Sequence, residues 1–200
     1  MATLQQHSIS PVLSEEQRFV VEGVAWKDYV ILREALDIPG LRMSFFRGRL
    51  ELMSPSRKHE VEKTTIARLL EVYALERDVP IQGMGSMTLR REDREAGAEP
   101  DECYSVGNAE RDVPDFAIEV IVRHGGIEKL LIYEALGVRE VWLWKDDAFQ
   151  LYLLGAQGYA PIPRSEALPN LDLQLLAEHV RMPNQHEAAK AFRDRLRGQC

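Results

Sequence analysis

The sequence is short of cysteine, of basic charge and of long apolar runs. Its two cysteines, Cys103 in mid-chain and Cys200 at the last position, have neither metal-binding nor disulfide spacing. That excludes a disulfide scaffold and points to a reducing compartment, so a cytoplasmic protein is expected. No apolar stretch approaches the ~18 residues that span a bilayer, and no membrane partner is expected. The segment MATLQQHSISPVLSEEQ lacks the basic start and apolar middle of a secretory signal. A net charge of −7 excludes a surface that grips phosphate everywhere, because sequence-independent binding needs clustered Lys and Arg. It leaves room for a local basic cleft. Repeats, linkers and low-complexity segments are also lacking.

What is present is ordinary globular material: 45% apolar and 28% charged residues over 200 positions suit one core. Residues 1–16 read as a frayed, polar lead-in, 17–180 as the folded domain and 181–200 as a basic C-terminal helix. In that last segment Arg181, Lys190, Arg193, Arg195 and Arg197 outnumber Glu187 and Asp194. The segment is either a solvated amphipathic helix or a phosphate-binding element.

Apolar spacing orders the elements. Gln17 to Val24 alternates as a short strand, and Trp26, Tyr29, Val30 and Leu36 follow at helical spacing. LRMSFFRGRLELMS forms two arms about Gly48, with Leu50 and Leu52 on one and the opposite-facing Met43 and Phe45 on the other. Ser56 can cap a helix of about five turns in which Ile66, Leu69, Leu70 and Tyr73 make one stripe. Strands are predicted at Ile81 to Arg90, Glu99 to Val106 and Asp115 to Val122, with the charged loop REDREAGA between the first two. A helix from Ile127 to Leu136 closes on Gly137, two strands follow (VREVWLW and AFQLYLL), and then a final strand and a small helical segment. Helices before and after a central group of strands predict an α/β (α+β) domain with a mixed central sheet flanked by helices.

One residue breaks the pattern. Glu119 stands inside the apolar run FAIEVIV. If the strands on either side of GNAERDVP pair as a hairpin, opposed residues have numbers summing to about 220, and Asp101 and Glu119 meet that condition. Directly opposed residues sit ~4.5 to 5.5 Å apart at Cβ. Two carboxylates at that separation can share a hard divalent cation, Mg²⁺ or Mn²⁺, which removes their repulsion. The alternative is a lone Glu on the wet face of a sheet, since a one-residue slip separates the pair. Asp115 lies on the same alternation and is the nearest rival ligand, although it fits a strand entry equally well.

The succession GRLELMSPSRKHE, EPD, PDFAIEV and KLLIYEALGVREVWLW resembles a bacterial family of restriction-endonuclease-like proteins in the PD-(D/E)XK nuclease superfamily. The resemblance runs from about Trp26 to Asn170. Its most specific parts are Pro100-Asp101, Glu119-Val120 and the series Lys129, Tyr133, Gly137-Val138, Glu140 and Trp142. It implies a restriction-endonuclease-like fold and a metal-dependent phosphodiesterase with Asp101 and Glu119 as ligands. The superfamily places a lysine two positions after the second acid, where this chain has Ile121, and the family resemblance suggests that Lys129 takes its place. Lys129 in the first turn of a helix is unfavourably placed against the macrodipole. It is either this displaced cation or a snorkelling surface lysine beside Glu128. The chain departs from the family after the Glu-Val pair, where members carry a Ser-Pro-Ser turn and a longer connection. Here the segment is VRHGG, which also brings His124 near the site.

His59, at the start of the long helix, matches a histidine common in the family; it is either a phosphate contact or proton shuttle, or a cap for the helix end. Glu51 is either an accessory acid or an exposed hairpin carboxylate. Trp142, Trp144, Phe149 and Tyr152 read as sheet packing rather than as base-stacking groups. Two functions follow: an endonuclease cutting nucleic acid, DNA in the first instance, with Asp101, Glu119, Lys129 and His59 as catalytic residues; or a binding module on the same fold. A homodimer is expected on the ground that duplex cleavage needs one centre per strand.

Overall fold

The computed structural model describes residues 15–38, 40–107, 111–122 and 127–198. His124, Cys200, most of the lead-in and the centre of the loop GNAERDVP lie outside them.

The expected α+β class holds, but the single central sheet resolves into two. Five strands, numbered in chain order, form an antiparallel sheet: β1 (Gln17–Val21), β2 (Arg42–Phe46), β3 (Arg49–Ser54), β5 (Leu89–Arg91) and β6 (Ala96–Ala98), arranged β1-β3-β2-β6-β5. Six others form a mixed sheet: β4 (Ile81–Gly83), β7 (Glu102–Val106), β8 (Phe116–Ile121), β9 (Glu140–Lys145), β10 (Ala148–Gly155) and β11 (Gly158–Ile162), arranged β11-β10-β9-β8-β7-β4. Among the described strands, β8 and β9 are its parallel pair. A parallel connection needs a crossover, and helix α3 (Ile127–Leu136) supplies it, ending on Gly137 at φ 81.

Of two predicted strands, one is divided between the sheets and the other is shortened. Ile81 to Arg90 splits into β4 and β5 because the chain turns away at Gly83 and Gly85, the latter at φ 59. Glu99 to Val106 loses its first residues: β6 occupies the end of the supposed loop REDREAGA, and Glu99-Pro100-Asp101 carries the chain across to β7. Proline has no N–H for a ladder, which suits it to this crossing. In the hairpin β2–β3, Met43 pairs with Leu52 and Phe45 with Leu50, so the four share one face instead of facing opposite ways.

Three apolar clusters result. Helix α1 (Trp26–Ala35) covers the β2–β3 hairpin through Tyr29, stacked on Phe45 with ring centroids 4.9 Å apart. Helices α2 (Arg57–Arg77), α4 (Leu173–Val180) and α5 (Gln185–Arg197) cover one face of the mixed sheet, over the stack Tyr104, Phe116 and Trp142. Helix α3 packs on the other face, between the sheets. Ala188, Phe192 and Leu196 of the basic tail are buried against α2, and Arg197 grips Glu76 with two hydrogen bonds of 2.8 Å. Among the described residues, no helix is long and apolar enough to cross a membrane.

Candidate active site

β8 lies between β7 and β9 with both faces covered, and all six of its residues are buried. Glu119 therefore has no wet face available; it is 1% exposed. The register is the one that the numbering arithmetic requires: Glu102 pairs with Ile118, Cys103 with Ala117 and Tyr104 with Phe116. Asp101 stands one residue before β7, itself 1% exposed, and its Oδ2 accepts the Val120 N–H at 2.8 Å. The two acids thus meet at the end of the β7–β8 pairing.

The surrounding cations come from helices. Lys129 Nζ lies 2.5 Å from Glu119 Oε2, and the Tyr133 hydroxyl donates to Glu119 Oε1. Lys129 and Tyr133 are four residues apart on α3, hence on one face, so a single helix holds both carboxylate oxygens. Lys129 does not snorkel: its side chain is 13% exposed, whereas Glu128 is 79% exposed and turns towards Arg49. His59 reaches Asp101 from α2, with Nε2 3.0 Å from Oδ2, an ion-pair contact that is not aligned as a hydrogen bond. Capping is left to Ser56, whose Oγ accepts the His59 N–H.

Two acids and two cations make the site nearly neutral. Burial opposes charge on His59, but the Asp101 carboxylate and then Glu60 outweigh it and raise the imidazole pKa to about 9. Asp101 is held below the usual carboxylate range: burial would raise it, and His59 with Lys129 overcomes that. Glu119 moves up, because burial and the neighbouring Asp101 exceed the help it draws from Lys129 and Tyr133. Asp101 Oδ1 is buried and accepts no hydrogen bond. An orphaned carboxylate oxygen in a dry site is what a hard cation would satisfy. Among the described residues, however, no group of three or more His, Cys, Asp or Glu side chains is arranged to hold a metal ion.

Glu119, Lys129 and Tyr133 border a cavity of about 10 Å³, room for about one water-sized particle. A groove of about 300 Å³ adjoins it, sharing Ser44, Glu51, Lys129 and Ile132, and adding Arg18 and Arg49. Glu51 is not an exposed hairpin carboxylate: its side chain is 22% exposed and lines both spaces. Asp115 is no rival ligand. Its Oδ2 accepts the Val106 N–H at 2.8 Å and its Oδ1 pairs with Arg111 at 2.9 Å, at the far end of the hairpin.

Sequence reasoning missed three contributors. Tyr133 was legible as the residue one turn beyond Lys129 on the same stripe. Glu99, 4% exposed, accepts hydrogen bonds from Arg33, from Thr88 at 3.0 Å and from the Met43 N–H at 3.1 Å, and so ties the Pro100-Asp101 crossing to α1 and β2. Arg18 carries no sequence signal, because its position depends on how β1 pairs with β3.

A crossover helix closing on two buried acids, beside a second antiparallel sheet, defines a restriction-endonuclease-like α+β protein. The Uma2 family model, described as "Putative restriction endonuclease", matches residues 26–184, and the chain belongs to that family. Among solved structures, the chain is similar to one titled as a "putative nuclease belonging to DUF820" from Anabaena variabilis ATCC 29413. The two share 15% identity over 82% of this chain and 98% of that one, with a TM-score of 0.45. No curated protein matches.

Proposed function

We propose that this chain is a Mg²⁺- or Mn²⁺-dependent endonuclease that hydrolyses phosphodiester bonds of DNA. The observation that carries the reading is the buried cluster of Asp101, Glu119 and Lys129, whose Lys129 also lines the groove. Asp101, through its unpartnered Oδ1, and Glu119, through Oε2, would hold the cation. When bound, a divalent ion supplies Lewis-acid polarisation of a phosphoryl oxygen and a water of lowered pKa. The chain's own groups do the rest. His59 keeps Asp101 ionised, Tyr133 fixes Glu119, and the Lys129 ammonium, released from Glu119, offsets charge developing on the phosphate. A homodimer would present one such centre to each strand of a duplex.

A second reading, a nucleic-acid or protein binding module without cleavage, is favoured by a specific observation. Both Glu119 oxygens are already engaged, and no ready-made set of three ligands exists among the described residues. Plasmid, single-stranded DNA and RNA substrates incubated with Mg²⁺, Mn²⁺ or a chelator separate the two. Metal-dependent nicking that is lost in both Asp101→Asn and Glu119→Gln supports the nuclease. Binding without cleavage in either metal supports the module.

A further inference from the structure

We infer that Arg18 is a phosphate clamp: it holds a backbone phosphate of the nucleic acid in the groove that leads to Lys129, an assignment that rests on the nuclease reading above. Arg18 lies on β1, which precedes the family-matched residues 26–184, so its presence at the site belongs to this chain's own N-terminal strand. Among the described residues β1 lies at the edge of its sheet and pairs with β3, in a register that sets Arg18 against Met53 and Val20 against Glu51. Met53 and Glu51 line the small cavity with Glu119, so this register delivers the Arg18 side chain to the same face.

The guanidinium is only partly used there. Its Nε donates to Glu16 at 2.6 Å and its Nη1 to Glu51 at 3.0 Å, while Nη2 is enclosed at the groove wall without a hydrogen-bond partner. Glu16 and Glu51 therefore fix the fork in one orientation and leave Nη2 as a buried, unsatisfied donor. A planar fork with unused donors fits two oxygens of a phosphate better than it fits a third carboxylate. The groove supports that choice of ligand. Arg18, Arg49 and Lys129 line it, three basic groups gathered in one groove of a chain of net charge −7, each held by carboxylates: Arg18 by Glu16 and Glu51, Arg49 by Glu22 and Glu128, and Lys129 by Glu119. Arg18 is also within electrostatic reach of both Glu119 and Lys129. A phosphate seated on Arg18 thus lies beside the phosphate that meets Lys129, and the clamp would fix the register of the strand at the acids.

The shared chemistry is that of a phosphate oxyanion, free or in a nucleic-acid backbone, and the experiment separates these sources. A dye-labelled short single-stranded oligodeoxynucleotide is titrated against the full chain in chelator over a salt series, with inorganic phosphate as a parallel competitor. Arg18→Gln should weaken oligonucleotide binding by ~10-fold and flatten the slope of log K on log salt by about 0.7, the loss of one phosphate contact on a single strand. Arg18→Lys should keep the slope and recover only part of the affinity. Inorganic phosphate should compete only weakly, because it engages one clamp instead of a strand. A purely structural Arg18 would change the melting temperature without changing the salt slope. If Arg18→Gln fails to fold, Arg18→Gln combined with Glu51→Gln removes both members of the pair and is read in the same way. If wild type binds the oligonucleotide and Arg18→Gln leaves slope and affinity unchanged, the clamp is overturned and the nuclease reading stands. A wild-type protein that binds no oligonucleotide at any salt overturns both.

Discussion

Replacing Lys129 by Met tests whether the Lys129–Glu119 pair is the electrostatic centre of the site. In the native protein the ammonium sits 2.5 Å from a carboxylate that is 1% exposed. Without it, Glu119 keeps only the Tyr133 hydroxyl and faces the charge of Asp101. If the carboxylate stayed ionised, the loss would be about 3 to 5 kcal/mol, the range for a buried pair stripped of one partner. Taking up a proton is the cheaper route: it costs about 1.4 kcal/mol for each unit by which the pKa lies below the ambient pH. Burial already raises the Glu119 pKa, and loss of Lys129 raises it further. A carboxyl whose folded pKa exceeds its unfolded value contributes stability at low pH and loses it as pH rises between those values. The variant should therefore be about 3 kcal/mol less stable than wild type near pH 8 and within about 1 kcal/mol of it near pH 5. Urea unfolding at the two pH values reads this directly. The double variant Lys129→Met, Glu119→Gln should regain about 2 kcal/mol near pH 8, as a coupled pair requires. Equal losses at both pH values, or a double variant no more stable than the single one, would refute the reasoning.

Three other outcomes are expected. Tyr133→Phe removes the second donor to Glu119 and should cost about 1 to 2 kcal/mol in a metal-free melt; an unchanged melting temperature would break the link. The His59 imidazole, with its pKa raised to about 9, contributes stability that is full below its unfolded value of about 6.5 and is lost as pH rises through 9. His59→Gln should consequently remove a stability decline between neutral and alkaline pH that wild type shows, and a parallel decline in both proteins would contradict the assignment. Gly97→Ala would drive a Cβ into the hydroxyl and ring of Tyr29, which is 0% exposed and stacked on Phe45. A loss of roughly 1 to 3 kcal/mol by chemical denaturation is expected, and a neutral effect would mean that Tyr29 can move.

Local periodicity made much of this fold readable. Alternation and helical stripes located β2, β3, α2 and α3 because each buries one well-defined face, β9 was found as a short, nearly continuous apolar run, and the hairpin arithmetic found the β7–β8 register because opposed strands count in opposite directions. What local pattern cannot carry is the choice of sheet. Ile81 to Arg90 reads as one strand and Ala96 to Ala98 as the end of a loop, yet the first run is cut by a bend between two sheets and the second forms a strand of the sheet that Glu102 to Val106 does not join. The partner across space decided the fate of Glu51 and Arg18 too. Both are charged residues on strands, an arrangement that sequence treats as solvent-facing, and only the approach of α3 over the five-stranded sheet turns their side of β3 and β1 into a cavity wall.

The site's dependence on α3 follows from topology. β8 and β9 run parallel, so a crossover element has to return over one face of the sheet, and that element is α3. Its first turn passes over the carboxyl end of β8, where Glu119 stands, and its four-residue spacing places Lys129 and Tyr133 on the two oxygens of that one carboxylate. Ile121, on the same side of β8, is 4% exposed and pairs with Lys145 of β9 within an apolar sheet. A lysine there would have to bury its stem in that wall to reach Glu119, whereas one on the crossover helix arrives from outside the sheet with its stem against the groove. The segment that closes the parallel pair thus also supplies the cation, and a change that displaces α3 should release Glu119 before it unfolds either sheet.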